Sequence, residues 1–479
     1  MVCLLRLRQI VLMIISMLSY TRSHHRNRFQ KLFALYLKFR GVSAKGFDTL
    51  HALALTMSNK WTSNAVERIS KKAMEEVCEL MELFPWLISY DNINIAFRVF
   101  SQRLDNHGEF GNGTAATVYV NPHAPRLPCT ANRNLQESRA NGMKNPLTPL
   151  DIIDISLEAQ PRIQAHTTHH VLRFLLESPE FDLQTYSGKD SAALKPPPPV
   201  NQLPSGPDHV THQYMLGTVN IPEASYEDHE RLLEEWCQQL GWGSLDAKKK
   251  VALEKVVAWA GDQLTIDRLR GLFKFRAEDL NSFDRLDWMV LVFGWLHLQM
   301  AFANSLHKQY MGTSSGCGLR QAFELLERKG LTSVLTRGPF HDNLDEALYH
   351  IAEAHLRVDW LSVGNVTDLS ELRSKTPDEL KQLAEKIVQK HGSNEALDDM
   401  DMKSKNKQDQ QKRQTIMWNR DILQYIVLDQ AIKHGDVGLM EDMLPQLLFR
   451  FMGGRNSNYA TELLELLQGL HREWPAEVK

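Results

Sequence analysis

Most of this chain carries its apolar residues three and four apart, the spacing of amphipathic helices, and a few short apolar runs break that period. The run that the rest is organised around is KVVAWAGDQLTIDRLR, Lys255–Arg270. Its first six residues predict a buried strand, Gly261-Asp262 the turn, and the remainder an amphipathic helix. WLISYDNINI, Trp86–Ile95, has the same form and leads to Asp91. AATVYVNP alternates like a half-buried strand and stops at a proline. THQYMLGTVNI predicts a strand or edge segment over 212–221. In DWMVLVFGWLHLQMAFANSL the near-continuous apolar run Trp288–Phe293 predicts a central parallel strand, turning at Gly294 into an apolar helix. His297, Gln299 and Asn304 in that segment argue against a membrane span.

Helical spacing predicts elements over Ala65–Phe84, Leu147–Leu176, Tyr226–Leu240, Leu264–Phe275, Gln321–Lys329, Asp345–Leu361, Met417–Lys433 and Leu439–Met452, with a closing helix in NYATELLELLQGLHREW. Gly41–Ile69 predicts two helices around a short turn, with Ser58-Asn59 as caps. Residues Asp105–Thr114 and Arg126–Asn145 are expected to be polar loops, and KPPPPVNQLPSG, Lys195–Gly206, a proline-rich spacer. The charged segment Ser374–Arg413 ends in a tract with few bulky residues, expected to be a solvated helix extension or disordered. Five regions follow: a helical 1–80, a first part of an α/β core at 81–125, an irregular and helical 126–245, a second core part at 246–310, and a helical 311–479.

A hydrophobic content of 43% with 24% charged residues is ordinary for a globular chain, so neither disorder nor a fibrous fold is indicated. A net charge of −3 gives no global basic signature, and nucleic-acid binding would have to rest on local patches. Cys3, Cys78, Cys129, Cys237 and Cys317 are odd in number and form no CxxC pair, which fits a reducing compartment. Met1–Tyr20 resembles a signal peptide in its apolar run Ile10–Leu18, but basic and polar residues follow in place of a small-residue cleavage site. A buried helix is the favoured expectation there, and an intracellular chain, nuclear if it acts on DNA. No Gly-rich Lys-Ser/Thr loop is present, so no nucleotide cofactor is expected, and no nucleophile elbow or Ser/His/Asp signature is found.

The chemistry rests on carboxylates. Asp91 and Asp262 both fall at strand ends, where open α/β sheets place their ligand crevices; Asp262 can equally be a plain helix cap. Glu462 in the closing helix is the candidate third acid, roughly 200 residues beyond Asp262, against the alternative of a solvent-facing helical glutamate. His297 lies near the end of its strand, as a core histidine or a site residue. His166, His169 and His170 lack the intervening glutamate of a zincin and are expected on the surface. In the N-terminal region the helix pair 41–69 is compatible with a helix-turn-helix, with Arg22, Arg26, Arg28, Lys31 and Lys60 in the cluster that would contact phosphates.

Taken as a set, SMLSYTRSHHRNRFQ, SYDNINI, WAGDQLTIDRLR with WLHLQM, and GGRNSNYATELLELL resemble a domain-of-unknown-function family abundant in mushroom-forming fungi and related to transposon-encoded proteins. The resemblance implies a predominantly helical, mixed α/β fold: a small ribonuclease-H-like sheet interrupted by a large helical insertion. It also implies Mg²⁺- or Mn²⁺-dependent phosphoryl transfer on DNA, with Asp91, Asp262 and Glu462 as ligands. The chain departs from the family in being shorter on both sides, which suggests a truncated copy. The competing expectation is a non-catalytic interaction or scaffold protein of transposon origin.

Overall fold

The structure is a computed structural model that describes residues 2–97, 109–312, 318–327, 341–454 and 456–479. It is predominantly helical and is built around one mixed sheet of five strands. Helices α1 (Val2–Arg22), α2 (Arg28–Phe39), α3 (Ala44–Ala52) and α4 (Asn59–Leu83) lead into strands β1 (Trp86–Phe97) and β2 (Glu109–Val120). Helices α5 (Ala131–Lys144) and α6 (Pro149–Leu176) separate β2 from strand β3 (His212–Met215). Then come α7 (Tyr226–Gln239), α8 (Leu245–Glu254), β4 (Val257–Gly261), α9 (Gln263–Phe275), β5 (Met289–Phe293) and α10 (Trp295–Tyr310). The remaining helices are α11 (Leu319–Glu327), α12 (His341–Gly364), α13 (Pro377–His391), α14 (Asn394–Asp401), α15 (Gln410–His434), α16 (Val437–Gly453) and α17 (Ser457–Gln468).

The sheet runs β3-β2-β1-β4-β5. β2 is antiparallel to both β1 and β3, while β4 and β5 run parallel to β1. Antiparallel neighbours need only a short connection, and β1 and β2 are consecutive in sequence. Parallel neighbours need a crossover, and α9 supplies it between β4 and β5. Side-chain alternation divides β1 and β4 by face. Ile88 and Tyr90 on β1, with Val257 and Trp259 on β4, are buried on one face. Trp259 lies edge-on to Tyr90 and Trp288, and Trp288 in turn meets Trp242, so indole rings fill the space against α7 and the strand ends.

Several polar segments differ from their sequence-based expectation. The stretch expected to be a loop over 126–145 contains α5, a helix with almost no apolar stripe. Its polar groups hold it instead: Asn132 donates to the Lys255 carbonyl (2.6 Å), and Arg139 donates to the carbonyls of Asp287 (2.8 Å) and Met289 (2.5 Å), which clamps the entries to β4 and β5. Within 374–413, α13 buries Leu380, Ala384, Ile387 and Val388, and α14 buries Leu397 and Met400. The N-terminal helix forms, but from Arg8 onward it is mostly exposed: Leu12 and Leu18 are about two-thirds exposed, while Tyr20 at its end is buried and the Ser16 carbonyl accepts from the buried Gln30. Among the described residues no helix is long and apolar enough to cross a membrane. Cys78, Cys129 and Cys237 are free thiols.

Trp259 is fully buried at the centre of the sheet. Replacing it with alanine should cost about 3–5 kcal/mol of stability through lost contacts and a cavity. Urea denaturation should show a lowered midpoint, and a loss under about 1 kcal/mol would mean the indole cluster does not carry the sheet.

Candidate active site

The paired register of β1 and β4 ends at Ser89↔Ala260; Asp91 and Asp262 lie two residues beyond that last pair on their own segments. Asp262 immediately follows β4 with extended backbone (φ −68°, ψ 175°), but Asp91 is not at a strand end as expected: β1 runs on to Phe97, and Asp91 lies midway along it, paired with Ala115 of β2, on the face opposite Tyr90. Both readings of Asp262 hold in part. Its Oδ1 accepts from the Thr265 amide (2.7 Å) and caps α9, where the exposed N–H groups of a first helical turn favour an anion. Asp91 Oδ1 accepts from the Asn92 amide (2.7 Å). Each aspartate thus uses one oxygen to fix its rotamer, and among the described residues the other makes no hydrogen bond.

A third carboxylate joins them, Glu223, in the turn between β3 and α7. Its amide donates to the Asn92 side chain (2.9 Å), and Arg268 donates to its carbonyl (2.7 Å), so β1 and α9 together hold the turn in place. The Glu223 carboxyl is 7% exposed and accepts from the Thr265 hydroxyl. Burial pushes its pKa up to about 7; the Thr265 hydrogen bond opposes this, and the negative charges of Asp262 and Asp91 add to it. Behind it, the fully buried His229 has Nε2 3.7 Å from Glu223 Oε1 and Nδ1 2.8 Å from the Tyr90 hydroxyl. Burial lowers the His229 pKa to about 4, and Arg268 lowers it further, so the imidazole is neutral at neutral pH and its contact with Glu223 is not an ion pair. Tyr90, His229, Glu223 and Thr265 form a polar chain running from β1 through α7 to α9.

Glu462 is neither solvent-facing nor open. It is 2% exposed, and both of its oxygens accept from Arg270 of α9, at 2.9 and 2.6 Å. One turn earlier on α17, Asn458 donates to Gln263 (3.2 Å) beside Asp262, and Tyr459 is near enough for Asp262 and Glu462 to raise its pKa after burial. Among the described residues no group of three His, Cys, Asp or Glu side chains converges as a metal cage. His297 lies on the first turn of α10, half-buried at the same sheet end: a Cβ on Gly294 would meet both its Nδ1 (3.5 Å) and the Gly261 carbonyl (3.4 Å).

The remaining candidates are dispersed. Arg22 ends α1, Arg26 follows it, Arg28 and Lys31 are on α2, and Lys60 is in the first turn of α4; all are exposed or half-exposed, with Lys31 over the Trp61 ring. Helices α3 and α4 are joined by a turn that includes Ala54 at φ 58°, and Ser58 caps α4 by accepting from the Trp61 amide (3.2 Å). The three histidines of α6 are not on the surface: His170 is buried, His166 and His169 half-buried, and burial lowers all three pKa values, that of His169 to about 4.

Residues 142–479 match the model of a family of unknown function, DUF6589, and the chain belongs to that family. The matched region starts near the end of α5, so it includes Glu223, Asp262 and Glu462 but neither β1 nor Asp91. No curated protein and no solved structure matches the chain.

The opposite shifts of Glu223 and His229 give a pH signature. A carboxyl that keeps its proton in the folded state up to about pH 7 makes folding less favourable as pH rises from about 4.5 to 7, by at most about 3 kcal/mol. A histidine held neutral works the other way, and stability rises from about pH 4 to 6.5. In the wild type the two largely offset each other. Glu223→Gln removes only the first, so its stability in urea should climb across pH 4–6.5 and its advantage over wild type should widen up to pH 7. Parallel wild-type and variant curves would show that Glu223 is not a raised-pKa acid.

Proposed function

We propose that the chain is a transposase-related protein whose Asp91 and Asp262 hold Mg²⁺ or Mn²⁺ for phosphoryl transfer on DNA. The observation that carries this is that Asp91, midway along β1, and Asp262, just after β4, are near enough to a common point for both charges to act on Glu223, each having one oxygen without a hydrogen bond among the described residues. The strand order β3-β2-β1-β4-β5, with β2 antiparallel to both its neighbours and the last two strands parallel to β1, supports a ribonuclease-H-like sheet. The long helical stretch between β5 and α17 supports an insertion of the kind the family resemblance implies.

The donor set fits the ion. Mg²⁺ prefers oxygen ligands and commonly uses one or two protein carboxylates with substrate phosphates completing the shell, so a three-residue cage is not required. Two carboxylates that raise the pKa of a third form an anionic focus that a divalent cation would neutralise. When bound, such an ion activates a water or 3′-hydroxyl and neutralises charge on the transferring phosphoryl group. Asp91 and Asp262 then serve as fixed ligands, oriented by the Asn92 and Thr265 amides. Glu223, poised near neutrality beside them, is positioned to hold or release a proton.

Against catalysis stands one observation: Glu462, the expected third ligand, is tied to Arg270. That favours the alternative of a non-catalytic scaffold of the same origin. Thermal unfolding with increasing Mn²⁺, comparing wild type with Asp91→Asn/Asp262→Asn, separates the two. A metal site should stabilise wild type by about 2.7 kcal/mol at one hundred times Kd and leave the double variant unmoved. Cleavage of labelled DNA should fall at least about 100-fold in the same variant. If wild type and variant respond alike to Mn²⁺, the scaffold is the better description.

A further inference from the structure

A second feature lies away from the aspartates: a cleft of about 1990 Å³ in the helical layer, between α6, α10, α13 and α16. Small-molecule pockets span about 300–1,000 Å³, so this one is sized for a polymer segment. One wall is the run Pro196–Pro198, a stiff extended stretch. It is pinned just downstream, where the amides of Val200 and Asn201 both donate to Asp436 (3.0 Å each) and that of Leu203 to the Gly435 carbonyl (2.8 Å).

The lining carries three kinds of group. Cationic side chains outnumber acidic ones: Lys195, Lys308, Lys381, Arg420 and Arg450 against Glu385, Glu395 and Asp421. Asp421 is buried and already neutralised by both arginines, and Tyr310 donates to it at 2.5 Å. A row of amides is fixed along the lining: Arg450 donates to Gln424 (3.2 Å), Gln424 to Gln446 (3.2 Å), and Gln446 to Gln160 (2.8 Å). Side-chain amides in set orientations match the donor and acceptor edges of unpaired bases. Phe449 lines the cleft with its ring 45% exposed. An aromatic ring left in solvent beside cations is what stacks a base.

The cleft also leads toward the aspartates. Gly454 and Asn456 line it, and Asn458, two residues further, bonds Gln263 next to Asp262. We propose that the cleft binds a single-stranded nucleic-acid segment, with Phe449 stacking a base and Lys308 and Lys381 contacting phosphates. The proposal shares its partner class with the proposed function but needs no metal and no chemistry, so each can fail alone.

The test is fluorescence anisotropy in EDTA with a labelled oligothymidine of about 20 nucleotides, its ribose counterpart oligouridine, and a duplex of the same length. Phe449, Lys308 and Lys381 are exposed, so thermal unfolding of their variants should match wild type. Phe449→Ala should weaken single-strand binding roughly tenfold. Lys308→Ala/Lys381→Ala should reduce the slope of log affinity against log salt by about 1.4. Preference for the thymidine or the uridine strand identifies DNA or RNA as the source. Absent binding, binding unaffected by these substitutions, or a duplex bound as tightly and with the same sensitivity to Phe449→Ala would each overturn the proposal.

Discussion

Everything at the candidate site depends on the parallel pairing of β1 with β4. Leu87–Ser89 meets Ala258–Ala260 across a long stretch of intervening chain that contains β2, β3 and four helices. Closing so long a loop costs only slightly more entropy than closing a short one, because the cost grows with the logarithm of length. What must be supplied is a strong apolar contact at the junction, and Ile88 opposite Trp259, both fully buried, supplies it. The same alternation that buries Ile88 and Tyr90 on one face of β1 puts Asp91 on the other, and β4 gives way to Asp262 two residues beyond its last pair with β1. A slip of one residue would exchange the faces of β1 and bury Asp91. On β1 the hydrophobic core and the acidic position are thus one constraint seen from two sides of a sheet.

Placing carboxylates together has an electrostatic consequence that the surroundings absorb in two ways. Asp91 and Asp262 are each met by a backbone N–H, and Asp262 gains from the start of α9 as well. Among the described residues Glu223 has no lysine or arginine in a salt bridge with its carboxyl, and the nearby Arg268 charge only partly opposes the rise; buried beside two anions and a neutral histidine, it holds its proton toward neutral pH. Glu462 meets the opposite environment. Removed from water but held bidentately by Arg270, it is a charge already compensated. Of the two further acids, Glu223 is therefore the one whose state a nearby cation would change, and Arg270 would first have to release Glu462 for it to serve the same centre.

How much of this the sequence displays depends on whether a residue's role is written in its own side chain or in its neighbours. β1, β4 and β5 are legible because buried strands need continuous or alternating apolar residues, and Asp91 and Asp262 are legible because each interrupts such a run. His229 was within reach: with Leu232, Leu233 and Trp236 it completes the buried face of α7. Glu223 was not, because a charged residue between a proline and a helix cap looks like ordinary loop until Thr265 and Asn92 are brought to it. α5 escapes for a related reason. Its stabilising partners are carbonyls of distant strands, and no period in its own residues announces them. The histidines of α6 look exposed by polarity alone, yet that helix is buried by α13, α15 and α16 packing around it.

The helical layer reverses the logic of the sheet. There two buried carboxylates are compensated by several partners each: Asp429, fully buried, accepts from Gln299, Tyr349, Gln430 and Lys433, and Asp359 accepts from Asn419 while paired with His391. Such networks fix helices in one arrangement and leave little charge to respond to a ligand. The cleft differs, since its lysines and Phe449 point into open space while only its arginines are tied down. The cleft, with its exposed lysines and Phe449, is the place proposed for a flexible polymer, and the sheet end, with its two aspartates, the place proposed for an ion. The two features meet at the start of α17, where Asn458 reaches Gln263, and that junction is where a strand held in the helical layer would come under the influence of the carboxylates.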